Sequence, residues 1–168
     1  MATNMYLNIG PNGFVQLTPA VTGGASKAGQ LVALNSAGQI DPTMLSSSLG
    51  SPQVTVTAAV AISAGQLVNL TNNSGVLTAQ LADCSTGLPA QGFATAAISA
   101  STTGTVQLSG LNASVTGLTP AAPLYLSTAG GVSATAPTTS GYIVQAVGVA
   151  VSATEMEFNP SNLPVTLG

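Results

Sequence analysis

A short pattern recurs in this chain, and each recurrence demands a tight reversal of an extended segment. Ala28-Gly-Gln-Leu-Val-Ala-Leu-Asn-Ser-Ala-Gly-Gln-Ile40 closely matches Ala64-Gly-Gln-Leu-Val-Asn-Leu-Thr-Asn-Asn-Ser-Gly-Val-Leu77, which has one extra turn residue. Pro123-Leu-Tyr-Leu-Ser-Thr-Ala-Gly-Gly-Val132 is a looser third copy. Each joins an alternating apolar run to a second run through Asn, Ser, Thr and Gly, and Gly supplies positive φ at little cost, so each predicts a β-hairpin. The spacing between copies is unequal, which makes this a reused hairpin and not a solenoid repeat.

The rest of the chain reads the same way. Gln53-Val-Thr-Val-Thr57 and Thr103-Gly-Thr-Val-Gln-Leu-Ser109 alternate polar and apolar residues, the period of a strand with one buried face. Gly141-Tyr-Ile-Val-Gln-Ala-Val-Gly-Val-Ala-Val151 is a longer run rich in branched residues, predicting a strand buried on both faces or bent at Gly148. Gly or Pro interrupts nearly every stretch long enough to carry a helical stripe. The one weak helical candidate is Pro42 to Leu49, with Asp41 placed to cap it and Pro42 at the first helical position. The expected class is all-β.

Composition divides the chain. Residues 1–24 hold Gly10, Pro11, Gly13, Pro19, Gly23 and Gly24 and no stretch able to build a core, so they read as an extended N-terminal arm. Such an arm can reach some 80 Å at ~3.3 Å per residue, and orders against a neighbour. Residues 25–52 carry the first hairpin copy and a polar linker, Ser46 to Pro52. A compact β-domain is expected over 53–160, and 161–168, with Pro164, as a short extended C-terminal tail.

Charge is nearly absent. Of 168 residues only Lys27, Asp41, Asp83, Glu155 and Glu157 are charged, 3% of the chain, against about 25–35% on an ordinary soluble surface. A folded monomer of this mass exposes roughly 7,500 Å², so one charge serves about 1,500 Å². Partners covering much of the surface would account for this, since low charge also removes the repulsion that keeps monomers apart. Nucleic-acid binding is excluded on the same ground, because one lysine cannot neutralise a phosphate backbone. The chain is 45% apolar with a net charge of −3, so it is not disordered by composition. Its apolar runs reach about five residues against the ~20 of a membrane helix, so no membrane span is expected. Residues Met1 to Gly10 lack the basic and apolar regions of a secretory signal.

Candidate chemistry is thin. Glu155 and Glu157 could share a strand face as an acid/base or oxygen-ligand pair, but two solvated glutamates at a strand end account for them better. Ser26-Lys27 lies in the Gly-rich stretch Gly23 to Gly29, where the burial that a serine–lysine pair requires is not expected. Cys84 has no histidine to activate it anywhere in the chain and reads as a small buried residue. Gly23-Gly24 and Gly130-Gly131 match no phosphate-binding pattern and read as turns. No catalytic residue, cofactor or metal site is expected.

Two groups of segments resemble known virion proteins. Ala28-Gly-Gln-Leu-Val-Ala-Leu-Asn-Ser-Ala-Gly-Gln-Ile-Asp-Pro-Thr-Met-Leu45 is similar to a G-x-[IL]-V-A-L-[DN]-x-x-G-x-[IL]-D-x-[ST]-[ML]-L segment near the start of many tailed-phage virion proteins. Leu118 to Ser127, Gly141 to Ala150 and Glu157 to Pro160 together resemble the β-domain of small phage capsid cement (decoration) proteins, with echoes in tail-fibre segments. The resemblance implies a β-barrel or jelly-roll-like domain, usually homotrimeric. It also implies a place on the outer capsid surface of the virion, where extended termini clamp neighbouring major capsid protein subunits. It supplies no catalytic residues.

The contacts expected on this reading come from apolar residues in regions that cannot form their own core: Tyr6, Leu7, Ile9, Phe14, Val15 and Leu17 in the arm, and Ile40, Met44 and Leu45 after the first hairpin copy. A phage tail-fibre or other host-attachment appendage is the alternative, although fibre tips tend to be aromatic and this chain has three Tyr and three Phe. A lectin or polysaccharide-acting enzyme would need more carboxylates and stacking rings.

Overall fold

The computed structural model describes residues 6–10, 13–17, 20–21, 32–41, 44 and 52–168, with the backbone alone at 6–10 and 13–17. The chain divides into two compact units, Met1–Gly50 and Ser51–Gly168. Among the described residues the regular structure is β, with no helix long and apolar enough to cross a membrane.

In the first unit, β1 (Tyr6–Gly10) and β2 (Gly13–Leu17) pair antiparallel from Tyr6↔Leu17 to Gly10↔Gly13. The segment read as one extended arm therefore contains a strand pair, which the turn-forming sequence Gly-Pro-Asn-Gly between the strands favours. Val32 bridges Ala20 in parallel, and the Ala33 N–H donates to the Ala20 carbonyl at 2.9 Å. The first hairpin copy turns at Asn35. Its side-chain oxygen accepts from the N–H groups of Ala37 at 2.9 Å and Gln39 at 3.0 Å, with Gly38 at φ 75. Most of the helical candidate at 42–49 lies outside the described residues; the Met44 N–H donates to the Asp41 carbonyl at 2.9 Å, a single turn.

The second unit opens on a closed barrel. Its strands are β3 (Gln53–Ala58), β4 (Leu67–Asn73), β5 (Val76–Leu81), β6 (Gly92–Ala94) and β7 (Thr103–Gln107), in the order β3-β5-β4-β6-β7. β7 closes on β3 antiparallel from Gln53↔Gln107 to Thr57↔Thr103, and β3 meets β5 in a short parallel contact at Thr57↔Thr78 and Ala58↔Ala79. Closure leaves the barrel no free edge. β4 and β5 are the second hairpin copy, joined through Ser74 at φ 52 and Gly75 at φ 87, the two positive values a two-residue primed turn requires.

A five-stranded antiparallel sheet follows: β8 (Gly110–Asn112), β9 (Pro123–Leu126), β10 (Val132–Ser133), β12 (Ala146–Ala150) and β13 (Met156–Phe158), ordered β10-β9-β12-β13-β8. β9 and β10 are the third copy, paired at Val132↔Leu126, with Ala129 and Gly130 at positive φ in the loop. The run expected as one long strand is divided: β11 (Ile143–Val144) pairs with β14 (Val165–Thr166), while β12 joins the larger sheet with a register shift between Ala146 and Gly148. Between them Gln145 turns a buried side chain toward Ala90. The C-terminal segment, read as a short extended tail, pairs with its own chain through β14. The open edge of β11 takes it up, and the Leu167 N–H donates to the Tyr142 carbonyl at 2.9 Å.

Strand alternation builds two cores from one barrel wall. Val68 and Ala94 point into the barrel with Val56, Ala58, Ile62, Ala79, Ile98 and Val106. A five-stranded barrel has a narrow lumen, which small and branched residues fill. Their neighbours Leu67 and Phe93 face the other way and pack with Leu124, Leu126, Val147, Met156 and Phe158 of the second sheet. There Phe93 and Phe158 meet edge to face, centroids 5.5 Å apart at 75°. Each such fully buried large side chain contributes about 2–3 kcal/mol relative to exposure.

Candidate interaction surface

The inward face of the second sheet is buried by that core, so alternation turns its other residues outward. Pro123 on β9 pairs with Val149 on β12, Val149 with Glu157 on β13, and Glu157 with Leu111 on β8. All four are exposed, Val149 and Leu111 at 48% each. At about 4.8 Å per strand the row spans about 14 Å. A second row lies beside it, Ser133–Tyr125–Ala146. The first row is therefore apolar but for the Glu157 carboxylate, and the second adds the hydroxyls of Ser133 and Tyr125. Of these residues the sequence singled out only Glu157, and as one of a glutamate pair, although the alternation Val147-Gly-Val149 and the pair Glu157-Phe158 carry the signal for an outward row.

Local donors hold two of the other carboxylates, Asp83 and Glu155. Burial alone would raise the Asp83 carboxyl, but hydrogen bonds outweigh it and keep the group below the ordinary aspartate range. The Ser85 hydroxyl donates at 2.6 Å and the Ser85 N–H at 2.8 Å to one oxygen, and the Ala129 N–H donates at 3.0 Å to the other. Asp83 thereby ties its own loop to the β9–β10 loop. Glu155 accepts from the Ser152 hydroxyl at 3.2 Å in the turn before β13, while Glu157 is exposed on the sheet face. Cys84 is buried in the second core, where burial and then the neighbouring Asp83 push its thiol upward, keeping it protonated. Ser26 and Lys27 lie outside the described residues.

Side-chain amides take over work that charges do elsewhere. Asn69 donates to the Pro89 carbonyl at 2.9 Å and to Gln91 Oε1 at 3.2 Å, and that same oxygen accepts from the Leu70 N–H at 2.8 Å. This network borders a shallow groove of about 420 Å³ lined by Leu70, Pro89, Leu108, Pro160 and Pro164. Among the described residues no three of His, Cys, Asp or Glu cluster as a metal site would require.

Of the expected contact residues, Ile40 is exposed and Met44 is half-buried. Tyr6, Leu7 and Ile9 lie on β1 and Phe14, Val15 and Leu17 on β2, by backbone alone, and Leu45 lies outside the described residues. The first unit also exposes Val32 and Leu34, alternate residues of the first hairpin copy.

No protein-family model matches the chain, and no curated protein matches it. Among solved structures it is similar to the N base of the head fiber gp8.5 of bacteriophage phi29. The TM-score is 0.47 at 14% identity, over 71% of this chain and 95% of that one. At this level of similarity the functional reading rests on the chain's own residues.

Proposed function

We propose that this chain is a structural protein of a tailed-phage virion: a cement protein that sits on the outer capsid surface as a homotrimer and stabilises contacts between major capsid protein subunits. The observation that carries the reading is an exposed apolar sheet face on a chain with five charged residues. A protein that remained free would expose such a face at the expense of its solubility. The resemblance of residues 28–45, and of the segments between 118 and 160, to virion proteins supplies the kind of partner. Arm residues Tyr6 to Leu17, with Ile40, Met44 and Leu45, extend the contact beyond the barrel unit.

The role is non-enzymatic, without cofactor, nucleic acid or membrane. A protein that binds the assembled shell but not its dissociated parts stabilises the shell by RT ln(1 + [L]/Kd) at each site, repeated over many copies. The test adds purified chain to particles stripped of it and follows shell disruption on heating. A disruption temperature that rises with chain concentration supports cementing. No co-sedimentation and no shift would contradict it, and binding confined to tails would favour the appendage alternative.

A further inference from the structure

We propose that the outward face of the five-stranded sheet, centred on Val149, Glu157 and Leu111, seats on a partner protein that meets Glu157 with a basic side chain. This rests on the cement reading and assigns the surface within it. Glu157 lies in register between two exposed apolar residues, Val149 on one side and Leu111 on the other. Any partner that covers Val149 and Leu111 also covers the carboxylate. A buried carboxylate left without a counter-charge opposes binding, so the covering surface must be apolar with a cation near its centre.

Charge complementarity separates the possible occupants. A second copy docked about a two-fold axis would bring one Glu157 toward the other, because an isologous contact juxtaposes the same patch, and about a three-fold axis a different patch of the next copy would have to bring the cation. Each copy carries net charge −3 and a single Lys or Arg, Lys27, so copies of this chain are poor suppliers of the missing cation. A different protein that presents Lys or Arg within an apolar patch fits. The row spans about 14 Å, less than a whole interface needs, so this face is the centre of a larger contact.

The experiment measures binding of the full chain to stripped particles at low and high salt, with oligomeric state followed by sedimentation. Wild type should bind, more weakly as salt rises. Leu111→Asp and Val149→Asp should each weaken binding by about a hundredfold without changing the oligomer. Glu157→Gln should weaken it by about tenfold and flatten the salt dependence, and Glu157→Lys should abolish it. Wild-type-like binding by both aspartate variants overturns the assigned face and leaves the cement reading intact. Tighter binding by Glu157→Gln overturns the basic partner. Loss of the oligomer in the aspartate variants would make the face a self-contact, and failure of wild type itself to bind removes both readings. Both substituted apolar positions are exposed, and far-ultraviolet circular dichroism checks that the variants fold.

Discussion

Ala90 and Gln145, 55 residues apart, exchange a closed pair of hydrogen bonds: the Ala90 N–H donates to Gln145 Oε1 at 2.7 Å and Gln145 Nε2 donates back to the Ala90 carbonyl at 2.9 Å. The same Nε2 also donates to the Ser161 carbonyl at 2.9 Å. One buried amide thus stands in for a strand neighbour and joins the barrel side of the unit to the start of the C-terminal segment. Gln145→Leu keeps the volume but strips partners from the Ala90 N–H and carbonyl. The expected cost is about 3 kcal/mol, read as a lower urea midpoint with an unchanged slope.

Gly148 carries φ 148, and a Cβ there would fall on the Glu157 carbonyl oxygen. Alanine must therefore part β12 from β13. Gly75, at φ 87, has open space where a Cβ would go. Gly148→Ala is expected to cost about 3 kcal/mol or more, and Gly75→Ala about 1 kcal/mol from backbone strain alone. Thermal unfolding of the two variants compares close approach with conformation.

Because the Asp83 carboxyl titrates below its ordinary range when folded, the unfolded chain takes up the proton first as pH falls. The resulting stabilisation is complete above the unfolded aspartate pKa of about 3.9 and is lost as pH drops through the lower folded value. Wild type should lose stability across that acid window, and Asp83→Asn should show a shallower slope there. Urea midpoints between pH 6 and pH 2.5 measure it.

Among the described residues, both hydrophobic core clusters lie within 51–168. A chain lacking residues 1–24 should keep a cooperative unfolding transition within about 1 kcal/mol of the full chain, while its occupancy on particles falls. Unchanged occupancy would remove the role given to the arm.

The second and third hairpin copies were legible in sequence because their signals are local. Ser74-Gly75 supplies two positive φ values, and Gln53–Ala58 and Thr103–Gln107 alternate as half-buried strands. A barrel is expected only through the resemblance to virion β-domains, since the pairing of β3 with β5 and β7 that closes it is fixed by non-local registers that no short window contains. The run from Gly141 to Val151 reads as one strand because nothing in a linear pattern tells that Gln145 will find Ala90. The C-terminal segment reads only as an extended tail for the same reason, its partner β11 lying some twenty residues earlier. Of the candidate surface, Ile40 and Met44 could be proposed from apolarity in a region without a core. The outward row could not, because Leu111, Pro123, Val149 and Glu157 become neighbours only when four strands are ordered in space.

The central claim, that this chain is an assembly component of the capsid exterior, is tested most directly by electron microscopy of intact particles carrying the tagged chain. Tagged density repeated at symmetry-related positions on the outer shell, with the five-stranded sheet facing the major capsid subunits, is the predicted result. Density confined to the tail or its fibres, or none on the particle at all, would contradict it.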